Sequence, residues 1–206
     1  MPAGAGRPFA LLSLSILALW SLGGLFASLG ASFVVGLLHS DNHMLGGLVV
    51  AVLAGTGAVG QLACGRLAPY RALLVGTLIL LPGVVLVITA VLLSSSVLFF
   101  AAGAVMGFGW GACFLGAFRA VSDLADPRRR GELLAALYVV AYLGMSVPSI
   151  VAGFASAQLG LRGTAIVFFV AVAVLALAGL SALPSASSRP GAQVAGTGPG
   201  MRLRRS

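Results

Sequence analysis

The sequence predicts an all-α membrane protein with six transmembrane helices, and three observations predict it. Of 206 residues, 60% are hydrophobic and 8% charged, and the mean hydropathy is +1.12. Soluble domains carry about 25% charged residues, so a water-soluble fold of this composition would lack the polar surface to cover itself. The apolar residues are also gathered into runs long enough to cross a bilayer, which takes about 20 residues, with short polar breaks between them. Finally, the arginines fall beside alternate breaks, the bias that keeps basic turns in the cytosol.

The first run, 9–38, contains no charge. At 1.5 Å per residue it makes about 45 Å of helix against a hydrocarbon core of about 30 Å, so it must tilt, bend or project. Gly23-Gly24 is the expected bend. The run is about twice the length of a signal-peptide core, so cleavage is not expected. A polar break, His39 to His43, leads to a second run, 44–67, whose Gly46, Gly47, Gly55, Gly57 and Gly60 would let neighbouring backbones approach closely. Arg66 and Arg71 close it. The third run, 72–93, carries Pro82-Gly83, which membrane helices tolerate. Ser94 to Ser96 turn the chain into a fourth run, 97–118, with Gly103, Gly107, Gly109 and Gly111 at close spacing. The charged stretch 119–132 follows. The fifth run, 133–159, contains Pro148, and Gly160 to Gly163 turn directly into the sixth, 164–183. Residues 1–8 form a cytoplasmic linker, and 184–206 a Pro/Ser/Gly/Arg tail expected to be disordered in the cytoplasm.

All twelve basic residues are Arg, and the net charge is +8. Placing both termini on one side puts every arginine there except Arg162, so a multi-pass protein of the cell membrane with cytoplasmic termini is expected. Nucleic acid is excluded as a partner, because binders concentrate basic charge on a folded polar surface. Cys64 and Cys113 sit inside apolar runs, as small buried hydrophobes do. His39, Asp41 and His43 have zinc-compatible chemistry, but the segment reads as a solvated loop, and no metal or cofactor is expected.

Between the ends of the spans there is no Asp, Glu, Lys or His, so neither a proton relay nor a nucleophile with a base in reach can be built at bilayer depth. An enzyme is not expected. The candidates for a substrate path are the polar and aromatic residues at that depth: Trp20, Gln61, Trp110, Tyr138, Tyr142 and Ser146. Tyr138, Tyr142 and Ser146 are spaced by four and share one helix face, and amphipathic rings around an apolar pocket suit a small organic ligand. Helix packing and an interfacial aromatic belt remain the alternative. Gln61 requires a hydrogen-bond partner in hydrocarbon, with a neighbouring helix the expected source. At the cytoplasmic side Arg119 and Asp123 could pair at i and i+4, and Arg66, Arg71, Arg119, Asp123 and Arg130 are candidates for a gate whose ion pairs rearrange. A positive-inside clamp with local pairs is the alternative.

Arg119, Arg130-Gly131, Tyr142-Leu143-Gly144, Pro148 and Gly153 together resemble the tenth-to-eleventh helix region of the major facilitator superfamily. Gly65-Arg66-Leu67-Ala68-Pro69-Tyr70-Arg71 is similar to the motif that family carries between the second and third helices of a half, with Pro69-Tyr70 in place of its Asp-Arg pair. The likeness spans about 9–183, as one C-terminal half. It implies a bundle of two inverted three-helix repeats, with the solute path between it and a second bundle. It implies further a transporter, or half of one, moving a small organic solute by alternating access, with efflux of a drug-like compound or metabolite exchange as activities. The partner would be a separate N-terminal half or a second copy of the chain. The opening residues look like the end of the linker between halves, as in a truncated gene or a start site placed late. The alternative is a non-transporting membrane protein, a remnant or an assembly partner.

Overall fold

The computed structural model describes residues 6–38, 44–124 and 130–180. They form five helices: α1 (Gly6–Leu38), α2 (Met44–Ala63), α3 (Pro69–Leu93), α4 (Ser96–Leu124) and α5 (Arg130–Leu180). All five are long and apolar enough to cross a membrane. The expected loop His39–His43, the linker up to residue 5, and residues 181–206 lie outside the described residues, as do 125–129.

Local chemistry accounts for the breaks. Pro69 opens α3, where its missing N–H is one that no helix would satisfy and its fixed φ suits the first turn. The helix closes at Ser94, which takes the left-handed conformation (φ 52°) and returns its N–H to the Ala90 carbonyl. The expected fifth and sixth spans emerge as the single element α5, 51 residues long and interrupted at Gly160 (φ 69°, ψ 168°). That combination of angles is open essentially only to glycine, so Gly160 divides α5 into arms 130–159 and 161–180. The helix of α1 runs unbroken through Gly23-Gly24 and begins at Gly6, inside the expected linker. Gly24 faces α5, where a Cβ would fall 2.5 Å from the Met145 carbonyl oxygen.

The glycines of α4 decide how the helices stack. Gly107 and Gly111 face α2, against Leu53 and Gly57, while Gly109 and Gly116 face α3, against Leu80 and Leu73. The partners on α2 advance from Leu53 to Gly57 as α4 advances from Gly107 to Gly111, with Gly60 crossing at Phe108, so the two helices run parallel but steeply crossed. Those on α3 recede, with Gly76 at Cys113 and Gly83 at Met106, so α3 and α4 are antiparallel. α1 occupies the corresponding place between the arms of α5. Leu17 meets Gly144 and Gly24 meets Ser149 on the first arm. On the second, Ser15 meets Gly179, Phe26 meets Phe169 and Gly36 meets Leu161 in opposite order. Lipid is as apolar as the side chains, so dispersion contacts at close range, not hydrophobic exclusion, hold such pairs. A knot of Phe26, Phe33, Phe99 and Phe169, with ring centroids 6.0–6.3 Å apart, joins α1, α4 and the second arm in the core.

Candidate functional site

Aromatic residues from three helices gather on one face. Trp110, Phe114 and Phe118 are spaced by four along α4 and stack at centroid separations of 6.2 and 5.9 Å. Trp20 of α1 crosses them, 6.5 Å from Phe114 and 5.7 Å from Tyr142, and Tyr142 continues to Tyr138 at 6.5 Å. The structure thus joins four of the six candidates, Trp20, Trp110, Tyr138 and Tyr142, and adds Phe114 and Phe118. The two tyrosines are exposed, at 45% and 57%, so the cluster opens outward along the first arm of α5. Ser146 continues their stripe and is exposed. The two phenylalanines were legible as the continuation of Trp110 at i+4 and i+8, a spacing that puts all three on one helix face.

Backbone geometry positions the two indoles differently. The Trp110 ring lies over Gly57, where a Cβ would come within 2.8 Å of a ring carbon, and its Nε1–H donates to the Leu19 carbonyl at 2.9 Å. Trp20 Nε1–H is buried with no partner among the described residues. An unmet buried donor costs roughly 1–3 kcal/mol, and it is the one buried polar atom of the cluster left unsatisfied there. Gln61 is half-buried one turn beyond Gly57 on α2, and among the described residues its amide has no hydrogen-bond partner. The expected cross-helix bond is made instead by Ser21, whose Oγ donates to the carbonyls of Leu17 at 2.7 Å and Gly144 at 2.9 Å.

The cationic end is built around Arg119. Its Nη1 donates to the Gly65 carbonyl at 2.7 Å, at the turn that ends α2, where orphan carbonyls and the negative end of the helix dipole favour a cation. The expected Arg119–Asp123 pair does not form. The spacing allows it, but the carbonyl of a neighbouring helix end takes the guanidinium and ties α2 to α4. Arg66, Arg71 and Asp123 are exposed, and Arg130 begins α5. Arg119→Met is expected to lower the unfolding free energy by about 1.5–3 kcal/mol, the range for a hydrogen bond to a charged group. Asp123→Asn should leave it within about 0.5 kcal/mol, as an exposed substitution does. Denaturant titration of the purified chain reads both. The opposite end carries Arg162, whose Nη2 donates to Ser94 Oγ at 3.0 Å and joins the break in α5 to the turn after α3.

A cavity of about 340 Å³ lies elsewhere, between the arms of α5, and none of the six expected path residues lines it. Among the described residues no group of three His, Cys, Asp or Glu could hold a metal ion. Compared with known proteins, the chain matches no family model, no curated protein and no solved structure.

Proposed function

We propose that this chain is a six-crossing bundle of the major facilitator type, one half of a transporter that moves a small organic solute by alternating access. One observation carries the reading. α4 packs parallel to α2 and antiparallel to α3, and α1 packs parallel to the first arm of α5 and antiparallel to the second. Exchanging α1, α2 and α3 for α4 and the two arms maps these four packings onto one another. Two three-helix units entering the membrane from opposite faces would have this relation, as inverted repeats do. Such a bundle needs a second one to enclose a path, and the aromatic face of Trp20, Phe114 and Tyr142 is the surface that would meet the solute. Arg66, Arg71 and Arg119 would lie in the cytosol and Arg162 outside, by the positive-inside bias.

Cysteine accessibility tests the reading without a known solute. Cys64 and Cys113 are buried, so background labelling should be low. With Tyr142→Cys, a membrane-impermeant maleimide should react in both right-side-out and inside-out vesicles, because alternating access opens the face to each side in turn. Reaction from one side only, or from neither, would instead fit a non-transporting assembly partner.

A further inference from the structure

The cavity between the arms of α5 runs along the first arm from Val147 to Leu159 and along the second from Thr164 to Leu175, with Ser21 of α1 completing the wall. Its only hydroxyls are internally bonded: Ser21 Oγ to the Leu17 and Gly144 carbonyls, Thr164 Oγ1 to the Gly160 carbonyl at 2.9 Å. A buried water needs two to four polar partners, and a polar solute needs at least as many, so neither is held here. Left empty, the lining atoms would forfeit their dispersion contacts on one side. Hydrocarbon fits the space, and the outer sides of both arms already face lipid: Phe154 is 76% exposed and Val174 59%.

We infer that the groove holds one acyl chain of a phospholipid from the surrounding leaflet, with its anionic headgroup at Arg162. The dimensions agree. The twelve helical steps from Leu159 to Val147 rise about 18 Å, and one leaflet contributes about half of the roughly 30 Å hydrocarbon core. The groove begins at the break in α5, and Arg162 stands there, exposed, with one of its N–H groups given to Ser94. Small side chains at Ala152, Ala155 and Ala171 open the space. The inference rests on the membrane assignment and not on transport.

Native mass spectrometry of the purified full chain, equilibrated with equal amounts of phosphatidylglycerol and phosphatidylcholine, reads it directly. One phospholipid should remain bound, with phosphatidylglycerol preferred about fivefold, the effect of one basic residue near an anionic surface. Ala155→Trp, which fills the groove, should abolish retention, and Ala171→Phe should do so from the opposite wall should the first variant fail to fold. Ala157→Trp, on the same arm but outside the lining, should retain lipid as wild type does. Arg162→Gln should keep the lipid and reduce the headgroup preference to about one. Retention surviving both groove-filling variants, or a headgroup preference unchanged by Arg162→Gln, would overturn the proposal.

Discussion

Gly111→Leu is expected to pull α2 away from α4 and to be the most destabilising glycine substitution in the interior. A Cβ at Gly111 would collide with the carbonyl oxygen of Gly57, which is backbone and cannot rotate aside as a side chain could. Overpacking a filled interior costs about 1–3 kcal/mol and sometimes more. Here a whole isobutyl group is forced between two backbones, so at least the upper end of that range is expected. The displacement would also lift Trp110 from Gly57 and strain its bond to the Leu19 carbonyl, so tryptophan emission should shift together with the unfolding midpoint. Gly55→Ala is the control. Nothing lies within 4 Å of a Cβ there, and alanine is the better helix former by about 1 kcal/mol, so stability should hold or rise slightly. Equal losses at both positions would show that α2 and α4 do not pack through these glycines.

The second large effect is expected at Gly160. Its angles, φ 69° and ψ 168°, leave no room for a β-branched residue, and strain of this kind costs of order 1–3 kcal/mol. More follows than strain, because α5 without its break would be a rod of about 77 Å by helical rise, far longer than a bilayer is thick. Gly160→Val should therefore separate the contacts that hold the second arm to the bundle: Leu161 against Gly36, Arg162 on Ser94 and Gly179 against Ser15. Limited proteolysis of membranes should then cut the second arm, which the wild-type chain protects. A wild-type cleavage pattern would mean that the break is not set by this residue.

Much of this arrangement was legible in the order of apolar runs, because the bilayer demands long helices and polar breaks. What hydropathy could not locate is where helices end. Charge marks the edge of the hydrocarbon, yet α4 continues past Arg119 to Leu124, since hydrogen bonding along the backbone does not stop at the membrane surface. The glycines of the fourth run promised close approach, but the division of labour between Gly107 with Gly111 and Gly109 with Gly116 depends on which neighbours flank α4. The site was half visible. Trp20, Trp110, Tyr138 and Tyr142 stand out in the sequence by their polar tips, while Phe114 and Phe118 look like any other apolar residues of the fourth run although they connect the others. Arg119 illustrates the opposite error: local spacing proposed Asp123, and a carbonyl 54 positions away in sequence took its place.

Fusions of alkaline phosphatase and of a fluorescent protein after each turn test the central claim of six crossings most directly. Fluorescence is predicted for fusions after Arg66 and after Arg128, and phosphatase activity, which requires export, for fusions after Ser94 and after Arg162. Phosphatase activity after Arg128, or fluorescence without phosphatase activity after Arg162, would contradict it.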